Sequence, residues 1–204
     1  MTDESSKLFT AKCRYATAIC RQKYYDRIFH ADNLSMSTDT ALLMAPCSVM
    51  RLNGKLNFAP GATMFLLDSY SHLIVNGDTT VCGNVMFHLL HHSTVTIGDG
   101  CTIGSGTILN SGSVLTLGDH VTIGENVILL DSDFHEIVLE DSTVIPRLGL
   151  ETVIGDHVTI GDGAIILKNV HIGDGAEIAP GALVNKDVPA NSYCAGFPAK
   201  PVNR

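Results

Sequence analysis

IGDHVT, IGDGAI, ILKNVH, IGDGAE, IAPGAL and VNKDVP, residues 154–189 written in sixes, form the stretch that decides the fold. The leading positions are Ile154, Ile160, Ile166, Ile172, Ile178 and Val184, and a small or β-branched residue recurs four places after each. A period of six matches neither an amphipathic helix nor the alternation of an ordinary strand. A fixed short period is instead the mark of stacked β-turns. Each hexad reads as one short strand with one inward apolar anchor, and three hexads close one triangular coil. The expected fold is all-β, a parallel β-helix of hexapeptide repeats.

Working back from that stretch, the same anchors recur less regularly. Leu117, Ile123 and Leu129 form one set, Ile97, Ile103 and Leu109 the next, then Val75, Val81 and Phe87. Below them Phe58 and Met64 read as anchors without a clear third, and irregular β begins near Ala41. Grouped in threes, the extra residues fall after the third anchor: ten from Phe87 to Ile97, eight from Leu109 to Leu117, twenty-five from Leu129 to Ile154. One vertical edge of the prism therefore carries these insertions. It gathers His88, His91 and His92 from one coil, Asn110, Ser111 and Ser113 from the next, then a long loop with Asp131, Asp133 and His135. Above the loop, Lys168 and Lys186 are eighteen residues apart and should stack one coil over the other. Loops on a rigid scaffold are where binding and catalysis concentrate, so this edge is the candidate site.

Composition narrows the class. The 204-residue chain is long enough to bury a continuous core, and its formal charge of −8 disfavours nucleic acid as a partner. No apolar run is long enough to cross a membrane, and no signal-peptide core is evident. Six scattered Cys without a CxxC pair suit a reduced, cytoplasmic protein better than a disulfide framework. From 6 to 29 the chain holds six of its thirteen basic residues, with Leu8, Tyr15, Ala18, Ile19 and Ile28 at roughly helical spacing. That segment reads as a short helical cap on the open end of the stack, or as a basic face for an anionic surface. The organisation expected is a helical N-terminal segment over 1–40, the β-helix over 41–188 with an active-site loop at 130–149, and a closing segment over 189–204.

The edge has plausible chemistry and plainer alternatives. His135, in DSDFHEI, has a side chain that can take a proton from a hydroxyl when oriented by a carboxylate or carbonyl. A solvated loop His would look the same. Asn110 suits a hydrogen bond to an acceptor hydroxyl or a developing oxyanion, or else is a turn Asn with positive φ. His88, His91 and His92 could contact substrate, ligate a metal or simply build the corner, but their spacing matches no zinc signature. None of the Cys lies in the His135 loop, which speaks against an acyl-cysteine route.

The hexad array and two motifs resemble the hexapeptide acyltransferases of left-handed β-helix fold. One motif is VNKDVPANSYCAGFPAKPV at 184–202, similar to that family's closing segment; the other is DSDFHEI, similar to the His-bearing loop of sugar O-acetyltransferases. The galactoside, maltose, xenobiotic and capsular-polysaccharide acetyltransferases are the nearest groups. The resemblance implies left-handedness, against the usual crossover rule, and a homotrimer with acetyl-CoA bound between subunits. It implies His135 as catalytic base with Asn110 near it, while the edge itself offers Asp131, Asp133, His88 and His91 as contacts for a sugar or glycan acceptor. It further implies Lys186 and Lys200 as basic contacts for the cofactor, joined by Lys168 through its stacking under Lys186, with Gly163, Ala164, Pro180 and Gly181 along the pantetheine arm. No metal is expected. Thr159 stands where relatives often carry an aromatic, and the N-terminus lacks the maltose-type leader, so a small free sugar is disfavoured as acceptor. An N-acetyltransferase of a nucleotide-linked amino sugar is the alternative within the fold. A serine O-acetyltransferase, a zinc carbonic-anhydrase-like trimer and a non-enzymatic β-helix are the others.

Overall fold

The computed structural model describes residues 40–45, 47–133 and 150–203, together with strand backbone at Ile28–Phe29, Leu34–Ser35, Ile137–Val138 and Val144–Ile145. Among the described residues, strands are the only regular elements. They stack into three parallel sheets, each coil giving one strand to each sheet. The first sheet includes Val49–Leu52, His72–Val75, Thr94–Ile97, Val114–Leu117, Glu151–Ile154 and His171–Ile172. The second includes Leu56–Phe58, Thr79–Val81, Cys101–Ile103, Thr122–Ile123, Thr159–Ile160 and Glu177–Ile178. The third runs Ala41–Met44, Met64–Leu67, Met86–Leu89, Ile108–Ser111, Ile128–Leu130, Ile165–Ile166 and Leu183–Val184.

The register confirms the hexad reading. Val75, Ile97, Leu117, Ile154 and Ile172 pair in one column, and Val81, Ile103, Ile123, Ile160 and Ile178 in a second. Phe87, Leu109, Leu129, Ile166 and Val184 form the third. All fifteen are buried, so the interior is a continuous apolar rod. Phe65 and Phe87 stack within it at 4.6 Å. The residue four places after each anchor is the other inward position: Val121, Val158, Ala164, Val170, Ala176 and Ala182 are buried too.

The Gly-Asp that follows many anchors has a separate cause. Asp78, Asp99, Asp119 and Asp156 each donate their backbone N–H to the carboxylate of the aspartate one coil above, at 2.7, 2.8, 2.8 and 2.9 Å. The glycine before each aspartate leaves room for that carboxylate. A Cβ on Gly118 would collide with Asp156 Oδ1. The repeat is thus apolar inside for burial, and Gly-Asp at the corner to satisfy amides that stacking alone leaves unpaired.

Three expectations are amended. Phe65, not Met64, pairs with Phe87, while Met64 points outward and is 41% exposed. The step from Phe58 to Phe65 is seven residues, so one extra residue falls on the corner between the second and third sheets. Parallel pairing also begins below Ala41: Ile28 pairs with Met50, and Leu34 with Leu56. The proposed helical cap over 6–27 lies outside the described residues. A two-stranded antiparallel hairpin, Ile137 opposite Ile145 and Val138 opposite Val144, forms part of the long insertion. Among the described residues no helix is long and apolar enough to cross a membrane.

Candidate active site

The edge between the third and first sheets is a stack of turns. Three of these turns end alike, with Ser48, Ser71 and Ser93 donating their hydroxyls to the carbonyls of Ala45, Asp68 and Leu90 at 2.7, 2.6 and 2.6 Å. The residue before each serine, Cys47, Tyr70 or His92, has a left-handed backbone, with φ of 63°, 59° and 62°. Above them the corner changes character. Asp131 turns inward and is fully buried, accepting hydrogen bonds from Ser111 Oγ at 2.5 Å and from the Gly112 and Ser113 amides at 2.6 and 3.2 Å. Burial pushes its carboxyl above the ordinary aspartate range, against the opposing pull of Ser111 and the two amides. Asp131 therefore ties the corner below to the root of the long loop and turns no exposed surface toward a ligand.

One coil higher, Lys168 forms an ion pair with Asp133, both side chains about one-third exposed. The pair clamps the loop root from above. Lys168 and Lys186 each lie two residues beyond anchors that pair, Ile166 and Val184, as the stacking expectation required. His135 lies outside the described residues, between Asp133 and the hairpin strand that starts at Ile137.

Asn110 is not a turn residue. It sits in the strand Ile108–Ser111, paired between His88 below and Leu130 above, on the outward side of the third sheet. Its Oδ1 is buried and has no hydrogen-bond partner. A buried acceptor without a donor carries a desolvation cost that a ligand hydroxyl would remove. Beside His88 the same face dips into a depression of about 370 Å³, lined by Leu43, Met44, Ala45, Leu66, Leu67 and Asp68. His91 and His92 lie on the exposed turn, with ring centroids 4.1 Å apart. Among the described residues no three His, Cys, Asp or Glu side chains converge as a metal site.

The positions expected along the cofactor divide between two edges. Gly163 and Gly181 have φ of 66° and 68°, and a side chain at either would meet open space. They lie on the corner between the second and third sheets, whereas Lys168 and Lys186 lie beyond the far end of the third-sheet strands. From Gly163 to Lys168 is five residues, roughly 16 Å of extended chain. Pro180 is exposed beside Gly181. Ala164 is fully buried, and its N–H and C=O are bonded to Gly161 and Ile128, so it offers a ligand nothing. Lys200 is exposed in the C-terminal strand Ala199–Pro201, antiparallel to Tyr193–Gly196 at the end of the second sheet.

Sequence reasoning missed Tyr70. It belongs to the same edge, in the ten-residue step from Phe65 to Val75, which the misplaced Met64 anchor concealed. The family model for the bacterial transferase hexapeptide (six repeats) matches residues 151–186, inside the stretch where the anchors are cleanest. That stretch carries the repeat of the hexapeptide transferases. Among solved structures, the polysialic-acid-specific acetyltransferase NeuO is 26% identical, with 81% of this chain and 82% of that one covered and a TM-score of 0.52. A hexapeptide-repeat acetyltransferase from Vibrio cholerae O1 biovar eltor, complexed with acetyl-coenzyme A, is 29% identical over 57% of this chain and 63% of its own, with a TM-score of 0.50. The N-acyltransferase AntD from Bacillus cereus shares the fold at 17% identity and a TM-score of 0.53, covering 78% of this chain and 83% of its own. A Schizosaccharomyces pombe protein assigned as an acetyltransferase is 46% identical over 39 residues, a match that spans 19% of each chain.

Proposed function

We propose that this protein is an acetyl-CoA-dependent O-acetyltransferase that modifies a hydroxyl of a sugar or surface polysaccharide. The observation that carries the reading is the unpartnered, buried Oδ1 of Asn110, on the face that leads to the loop bearing His135. A non-reacting hydroxyl of the acceptor donating to that oxygen would hold the sugar with its reacting hydroxyl toward the loop. His135 takes the proton as the hydroxyl oxygen attacks the thioester carbonyl. A backbone N–H steadies the oxyanion, the C–S bond breaks, and His135 returns the proton to the departing thiolate. The products are an acetate ester and free coenzyme A, with no covalent enzyme intermediate. Likeness to the polysialic-acid-specific acetyltransferase supports a glycan hydroxyl as acceptor, and likeness to the Vibrio protein supports acetyl-CoA as donor. Asp131 and the Asp133–Lys168 pair serve here as positioning groups for the loop rather than as sugar contacts.

The working form in this reading is a left-handed helix assembled as a homotrimer. The glycine corner and the lysine corner border opposite sides of the third sheet, so one elongated cofactor meets both most simply between two copies. The outward residues Met64, Met86, Ile108, Ile128, Ile165 and Leu183 form an apolar ladder along that sheet, suited to burial against a neighbour. The deciding experiment measures thiol release from acetyl-CoA against glycans, sugar nucleotides with free amines, and amino acids, with product analysis. Ester formation on a glycan is expected. Transfer only to an amine would replace this reading with amino-sugar N-acetylation, and absence of both turnover and acetyl-CoA binding would overturn it.

A further inference from the structure

Tyr70 occupies a backbone conformation that a bulky residue rarely takes. Its φ of 59° lies in the left-handed region, filled elsewhere among the described residues by four asparagines, His92, His120, His157, Cys47 and several glycines. The turn shared with Cys47 and His92 sets this backbone, so what is particular to Tyr70 is a bulky side chain where Asn or Gly would cost less. Burial is not the reason, because Tyr70 is 51% exposed. Its ring instead stacks on His92 from the coil above, with centroids 5.1 Å apart and an interplanar angle of 17°. His91 meets the same ring edge-on at 5.5 Å. The result is an exposed aromatic platform with imidazole nitrogens and a phenol hydroxyl at its rim. Asp68, two residues before Tyr70, also lines the depression beside His88, so the depression reaches the turn that carries Tyr70.

This platform stands on the same vertical edge as Asn110 and the long loop. Successive turns on that edge come from Leu67, Leu89, Ser111 and the Asp131 root, so Tyr70 lies three coil steps below the loop, roughly 14 Å at the usual strand spacing. One sugar ring cannot bridge that span, whereas a short oligosaccharide can. We propose that Tyr70, with His91 and His92, forms a remote subsite that stacks on a non-reacting sugar ring of an oligomeric or polymeric glycan acceptor. The inference rests on the O-acetyltransferase reading and sharpens it by making a chain, not a free monosaccharide or activated precursor, the preferred acceptor. The apolar C–H face of a pyranose fits an aromatic face, and the rim supplies donors and acceptors for its hydroxyls. Binding energy from a ring that does not react can raise kcat/KM at the ring that does.

The test uses one glycan as a size series from monosaccharide to long chain, with the full-length protein and acetyl-CoA. In the wild type kcat/KM should rise with chain length once the acceptor can reach from the loop to Tyr70. In Tyr70→Asn the ratio of kcat/KM for the long chain to that for the monosaccharide should fall roughly three- to tenfold. Asn suits a left-handed backbone, so this variant should fold at least as well as the wild type. Tyr70→Phe should keep the ratio. Direct binding of the long glycan without acetyl-CoA provides a second arm, independent of turnover. Weaker glycan binding in Tyr70→Asn but not in His135→Ala supports the subsite even if the chemistry is assigned wrongly. A length-independent wild type, or a Tyr70→Asn variant with undiminished length preference and glycan binding, overturns it.

Discussion

The outward faces of the second and third sheets differ sharply although their interiors are alike. The second carries Asn57, Thr80, Thr102, Thr122, Thr159 and Glu177 in one paired column. The third carries Met64, Met86, Ile108, Ile128, Ile165 and Leu183 in the corresponding column. Both sheets bury the same kind of aliphatic anchor, so the interior cannot explain the difference. A threonine ladder presents hydroxyls to water and suits a β-surface that stays solvated. A methionine and isoleucine ladder leaves apolar area that water disfavours. The hexad repeat thus specifies the inside of the prism, and the choice of outward residues assigns each face its use.

Substitutions can break this comparison, beginning with the largest effect. Ile108→Lys places a charge in the apolar ladder and should reduce the proposed homotrimer to smaller species by sedimentation, whereas Thr102→Lys on the second sheet should leave the mass unchanged. Equal behaviour of the two would remove the distinction between the faces. Phe87→Ala, inside the rod, should lower stability by about 3–5 kcal/mol in denaturant unfolding, since the stacked partner Phe65 cannot fill the void. Asp131→Asn should cost about 1–3 kcal/mol, because an amide cannot accept from Ser111, Gly112 and Ser113 as the carboxylate does. A thermal midpoint unchanged by that substitution would show that the corner is held some other way. Thr122→Val should change stability by less than about 0.5 kcal/mol, as expected for a surface position without buried partners.

Much of this could be read in the sequence because one physical rule repeats. From Val75 upward the three anchors of each coil are aliphatic or aromatic residues six apart, and the register agrees with them. The lower coils were harder. Their ten-residue steps and the seven-residue step from Phe58 to Phe65 break the period, and Met64 is as apolar as the true anchor beside it. The candidate edge was legible because insertions and titratable residues coincide there. The partners of those residues were not. Nothing in the local sequence around Asp131 says that it faces amides eighteen and nineteen residues earlier, or that Asp133 pairs with Lys168 thirty-five residues later. Only the coil geometry brings them together. The same geometry separates Gly163 from Lys168 across the third sheet and removes Ala164 from any surface, which the motif likeness alone did not reveal.

The central claim is that the insertion edge is where acetyl transfer occurs, with His135 as base. Its most direct test is the rate of thiol release from acetyl-CoA with a glycan acceptor, comparing the wild type with His135→Ala at matched acetyl-CoA occupancy. A loss of roughly a hundredfold or more in kcat, with acetyl-CoA affinity retained, is the result this account predicts. Turnover undiminished in His135→Ala would contradict it.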